Sequence, residues 1–112
     1  MDHINTKKIK IDPLNISDEL INIAAKFLLS GEIVAFPTET VYGLGAIATD
    51  SSAIKKIFKI KNRPLDNPLI CHFHSIDHIS KYVQQIPDEL YELNQKLWPG
   101  PLTVILFKKN NI

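Results

Sequence analysis

The 112-residue chain carries 13 Lys and Arg against 12 Asp and Glu, a formal net charge of +1, with 45% hydrophobic and 22% charged residues. This ordinary globular composition excludes a chain-wide basic coat for nucleic acid, so any basic site must be local. A single cysteine, Cys71, excludes an internal disulfide and a cysteine-based zinc cluster, and no apolar run approaches the roughly 20 residues of a membrane helix, so a cytoplasmic, soluble, single-domain protein with no membrane partner is expected.

The first predicted element is "KKIKI", Lys7 to Ile11, which alternates polar and apolar at period two and stops at Asp12-Pro13 as a half-buried strand does. A helix follows. Ser17 can cap it, Asp18 and Glu19 favour its positive end, Leu20, Ile23, Ala24, Phe27 and Leu28 share one apolar face, and Gly31 suits its C-terminal cap. "IVAF", Ile33 to Phe36, reads as a short strand ended by Pro37. A second helix starts near Asp50 or Ser51, turns Ile54, Ile57 and Phe58 inward and stops before Arg63-Pro64, because proline disfavours helical geometry in the residue before it.

"LICHF", Leu69 to Phe73, is the next predicted strand; Ser75 can cap a short helix through Val83, and Pro87-Asp88 opens a helix that carries Leu90, Leu93 and Leu97 to Trp98. "WPGP" is a turn, and "LTVILF", Leu102 to Phe107, reads as a last strand. Strands alternating with helices predict an α/β fold, a twisted mixed or parallel sheet with flanking helices. The last strand is apolar enough to want neighbours on both sides. It is therefore either an edge strand or one whose partners are absent.

Three features carry chemistry. Lys55, Lys56, Lys59, Lys61 and Arg63 occur with no acid among them. The first three read as a solvated helix face. Lys61 and Arg63 read as lying past the helix end, beside Pro64 and Pro68, where a stiff backbone can aim a guanidinium at phosphate or carboxylate. In "LICHF", Leu69, Cys71 and Phe73 would face one side and Ile70, His72 and His74 the other. His72 and His74 offer two nitrogens and no third ligand, so no metal site is predicted; His3 and His78 read as incidental. "PTETVYGLG", Pro37 to Gly45, offers the Thr38 and Thr40 hydroxyls to a polar ligand, and its glycines permit close approach or positive φ. It has neither a GxGxxG nor a GxxxxGK pattern.

Taken in order, "GEIVAFPTETVYGLG", "KNRPLDNPL", "CHF" and "WPGPLTVIL" resemble the YrdC/TsaC family of threonylcarbamoyl-AMP synthases, over Ile9 to Leu106. The resemblance implies a YrdC-like fold and a reaction of L-threonine, bicarbonate and ATP giving threonylcarbamoyl-AMP and pyrophosphate, a nucleotidyltransferase step in the modification of tRNA adenosine next to the anticodon. Carried over residue by residue, it implies that Thr40 and His72 contact threonine and that Lys61, Arg63 and Asn67 contact the nucleotide; the catalytic group stays unassigned. Mg2+ is expected with ATP, held by no protein-only cage.

The family continues past "WPGPLTVIL" with a Thr-x-Arg-like stretch and an "SxN" segment that complete its pockets. The expectation is a single YrdC-like domain incomplete at its C-terminal end, a gene fragment or split-gene product with little or no activity alone, functional only with a complementary C-terminal fragment. The alternatives are a non-catalytic module for tRNA or double-stranded RNA, supported by the Lys55 to Arg63 cluster, and an inactive remnant.

Overall fold

The computed structural model describes residues 5–64, 66 and 68–112. The chain divides into two compact units, Met1–Arg63 and Pro64–Ile112.

In the first unit, helix α1 (Asp18–Leu29) begins where the sequence says it should. The Leu20 N–H donates to Ser17 Oγ at 3.4 Å, and Asp18 and Glu19 occupy the first turn. It ends in a Schellman arrangement: Gly31 takes φ +86°, its N–H donates to Leu28 O at 3.1 Å, and the Glu32 N–H donates to Phe27 O at 3.0 Å. The apolar face of α1 packs toward strand β1 (Val34–Phe36), yet no α1 residue is fully buried.

β1 pairs antiparallel with β2 (Gly43–Gly45), with Val34 opposite Gly45, Ala35 opposite Leu44 and Phe36 opposite Gly43. The α/β expectation holds. The pairing present is antiparallel rather than parallel, since the six residues between Phe36 and Gly43 form a hairpin loop, whereas parallel strands need a long crossover. "GLG" is thus half of a hairpin instead of loop. Its glycines make room for an aromatic ring: a Cβ on Gly45 would lie 2.8 Å from Phe36 Cε1, and one on Gly43 3.1 Å from Phe36 Cζ. Phe36 covers the bare backbone of its partner strand, the arrangement that offsets the weakness of glycine in sheets. Positive φ is not the reason for these two glycines, because among the described residues only Gly31 and Asn62 adopt it.

Helix α2 (Ser51–Lys61) is capped by Asp50, whose Oδ1 accepts from the Ser52 and Ala53 N–H groups at 3.0 and 3.2 Å. Ala53, Ile57 and Phe58 are the buried hydrophobic side chains described in this unit, and Ala53 is fully inaccessible. Ile54 is only half-buried. Lys55, Lys56 and Lys59 are exposed, as a solvated face requires, and Lys56 adds a contact: its Nζ donates to the Gly31 carbonyl at 3.0 Å, tying α2 to the end of α1. A stretched lysine stem can lie along apolar surface while its head finds such an acceptor.

In the second unit, helix α3 covers only Ile76–Ile79, with Ser75 Oγ accepting from the His78 N–H at 3.2 Å. The predicted extension to Val83 fails because Tyr82, Val83 and Gln84 pair with the last segment instead. Val83 bridges Lys108 antiparallel, the Gln84 N–H donates to Phe107 O at 2.8 Å, and the Lys109 N–H donates to Tyr82 O at 2.7 Å. Helix α4 (Asp88–Leu97) buries Leu90, and with Ile79 this forms the core of the unit. Trp98 follows α4, its bond to Pro99 cis, and its indole N–H donates to Leu102 O at 2.9 Å.

Lys7–Ile11, Leu69–Phe73 and Leu102–Phe107 are not paired as strands among the described residues. Their alternation nevertheless survives in part. Leu102, Val104 and Leu106 are half-buried, while Ile105 is 97% and Phe107 82% exposed. Among the described residues no helix is long and apolar enough to cross a membrane.

Candidate functional site

The basic pair sits at the end of α2. Lys61 is the last helical residue rather than the first loop residue, and it is exposed. Asn62 then takes the left-handed conformation, φ 52° and ψ 43°, and its N–H turns back to Lys59 O at 3.3 Å. The Arg63 N–H donates to Phe58 O at 2.9 Å, so the backbone of the arginine is held against the helix while its side chain is half-buried. This is the same motif that ends α1, with Asn62 in the place of Gly31. Asparagine tolerates the left-handed region better than other residues with a side chain, so its place between Lys61 and Arg63 has a backbone cause.

The chemistry open to this turn is anion binding. An ammonium on a flexible stem and a planar guanidinium on a fixed backbone can share the charge of a phosphate chain, the arginine through two parallel hydrogen bonds.

Thr40 lies exposed at the hairpin tip between β1 and β2. Its N–H donates to Thr38 Oγ1 at 3.3 Å, and the Thr38 hydroxyl donates to the Val41 carbonyl. Thr38 is therefore spent on the loop itself. Among the described residues the Thr40 hydroxyl has no partner within the chain, which leaves it as the hydroxyl of "PTET" that can meet a ligand. Val41 and Tyr42 beside it are 74% and 77% exposed.

In the second unit His72 is exposed, and Ile70 and His74 share its exposure, while Leu69 and Phe73 are half-buried. The alternation predicted for this segment holds at those positions, and Cys71 breaks it by being exposed. Asn67 lies outside the described residues. His78 is not incidental: it packs edge-on to Phe73 and Tyr82 with ring centroids 5.6 and 5.4 Å away, and lies 4.6 Å from the ring of His74. Its Nδ1 is buried without a hydrogen-bond partner among the described residues. No sequence pattern marks this cluster beyond the aromatic spacing of Phe73, His78 and Tyr82. Among the described residues no three His, Cys, Asp or Glu side chains come together to hold a metal ion.

The model of the Sua5/YciO/YrdC family, described as "Telomere recombination", matches residues 26–112. The chain is 52% identical over 93 residues to a protein of Pyrococcus abyssi named threonylcarbamoyl-AMP synthase, and this covers 83% of the chain and 27% of that protein. It is 47% identical over 95 residues to the protein of the same name from Bacillus subtilis, covering 85% of the chain and 28% of the relative. A solved structure of P. abyssi Sua5 complexed with L-threonine superposes with a TM-score of 0.82 at 49% identity, over 88% of this chain and 29% of that one. The chain therefore spans less than a third of the length of each of these relatives.

Proposed function

We propose a function from the premise that this chain belongs to the Sua5/YciO/YrdC family: it serves L-threonylcarbamoyladenylate synthesis, in which L-threonine, bicarbonate and ATP give threonylcarbamoyl-AMP, pyrophosphate and water. The observation that carries this reading is the Lys61–Asn62–Arg63 turn. It fixes a lysine and an arginine at a helix end inside the region that is 52% identical to a protein named for that reaction.

In this reading Lys61 and Arg63 take the charge of the ATP phosphates, and Asn67 adds a nucleotide contact. Transfer of an adenylyl group needs mainly positioning and neutralisation of phosphate charge, which a lysine and an arginine on one helix end would supply. Thr40 and His72 are assigned to L-threonine, a ligand that the P. abyssi relative was crystallised with. Magnesium travels with ATP through phosphate oxygens and one or two carboxylates, and no residue of this chain is assigned to it. The product would serve threonylcarbamoylation of tRNA in the cytoplasm. The two compact units count as parts of one YrdC-like domain, since the family match runs across their boundary at Arg63 and Pro64.

The test is calorimetric titration of the full chain with magnesium-ATP and with L-threonine. Both ligands are expected to bind, and a folded chain that binds neither at millimolar concentration overturns the reading. Thr40→Ala sharpens the assignment. Loss of one hydroxyl contact costs about 1 kcal/mol, a drop of roughly fivefold in threonine affinity, with ATP affinity unmoved. A larger loss for ATP than for threonine would mean that the hairpin tip faces the nucleotide.

A further inference from the structure

We infer that Asn62 is a positioning residue for nucleotide binding: its left-handed backbone aims Lys61 and Arg63 at one phosphate chain. This rests on the nucleotide reading of that pair. Two residues apart on a continuous helix, Lys61 and Arg63 would project about 200° apart and would not face each other. The left-handed step at Asn62, φ 52° and ψ 43°, ends the helix between them. It folds the Arg63 N–H back onto Phe58 O at 2.9 Å, so the arginine starts from a backbone fixed within one turn of Lys61.

The same helix is also pinned at its start and along its middle. Asp50 caps it through the Ser52 and Ala53 N–H groups, and Lys56 Nζ holds the Gly31 carbonyl at 3.0 Å. With α2 held there, the conformation of Asn62 decides where the arginine departs. The requirement falls on the backbone at this position and not on the carboxamide, so the residue types that satisfy it are those that accept positive φ. Glycine does so at no steric cost, alanine poorly, and a β-branched residue worst of all.

The experiment measures magnesium-ATP affinity by calorimetry, and the melt without ligand, for the full chain and for Asn62→Gly, Asn62→Ala and Asn62→Val. Positioning predicts that Asn62→Gly binds ATP within about twofold of the parent. Asn62→Val should lose about tenfold or more, and Asn62→Ala should fall between them, at a temperature where each is folded by circular dichroism. Rescue by glycine, which has no side chain, separates aiming from any contact made by the carboxamide. Unchanged ATP affinity in Asn62→Ala and Asn62→Val, with only the melt lowered, assigns Asn62 a purely structural role and overturns the inference. So does a loss in Asn62→Gly as deep as that in Asn62→Val. Failure of the nucleotide reading looks different: the parent chain itself then binds no ATP, and Arg63→Ala changes nothing.

Discussion

Arg63→Ala is expected to shrink the rise in melting temperature that magnesium-ATP gives this chain to a few degrees, while the melt without ligand stays within a few degrees of the parent. The second half follows from the backbone. Arg63 closes the cap of α2 with its main-chain N–H, which donates to Phe58 O at 2.9 Å, and alanine keeps that donor. The first half follows from the charge. ATP at a hundred times its dissociation constant stabilises the folded chain by about 2.7 kcal/mol, and loss of charged hydrogen bonds to phosphate costs about 1.5–3 kcal/mol. At the upper end of that range affinity falls roughly a hundredfold, and the same ATP concentration then contributes only about 0.4 kcal/mol. At roughly 4–8 °C per kcal/mol for a domain of this size, a shift of more than 10 °C shrinks to about 2–3 °C. Thermal denaturation with and without ATP checks it. A full shift in Arg63→Ala would remove Arg63 from the nucleotide site, and an equal fall in both melts would make its role structural.

What the sequence made legible is what short-range physics decides. Ser17, Asp50 and Ser75 are read as caps, or lie one residue from the predicted start, and each accepts the expected backbone N–H, because capping needs only residues two or three positions away. Lys61 and Arg63 stand out for a related reason, since a helix end and a following proline announce themselves locally. Asn62 between them passes unremarked, although an asparagine just past a helical run is itself a signal of the left-handed cap.

Long-range pairing was not legible. The alternation of "KKIKI", "LICHF" and "LTVILF" tells which face a strand would bury and says nothing of whether a neighbour is present to pair with it. Lys56 illustrates the same limit, since its partner carbonyl at Gly31 lies 25 residues away. "GLG" misled for a subtler reason. Glycines near a suspected ligand loop suggest backbone freedom, but Gly43 and Gly45 are small because Phe36 of the facing strand lies over them. That cause becomes visible only when the register of the hairpin is known.

Gly100→Ala is the substitution expected to damage the second unit most for the least change in volume. A Cβ on Gly100 would overlap the Leu97 carbonyl oxygen, a backbone atom at the end of α4 that no side-chain rotation can move. The turn has little slack in which to absorb the added methyl. The Trp98 N–H donates to Asn94 O at 3.2 Å, the Leu102 N–H to Gly100 O at 2.8 Å, and the Trp98 indole N–H to Leu102 O at 2.9 Å. Relief therefore requires the turn to shift and at least one of these bonds to lengthen. Overpacking costs about 1–3 kcal/mol and each bond about 1 kcal/mol, which places the loss near 3 kcal/mol and the fall in melting temperature above roughly 10 °C. Trp98 is the only tryptophan in the chain, so its emission reports directly on this turn. The expected result is a lower melt together with a red shift of that emission as the indole loosens from Leu102. A melt within 2–3 °C of the parent and unchanged emission would show that the turn accommodates a methyl, and that Gly100 is not needed for close approach to α4.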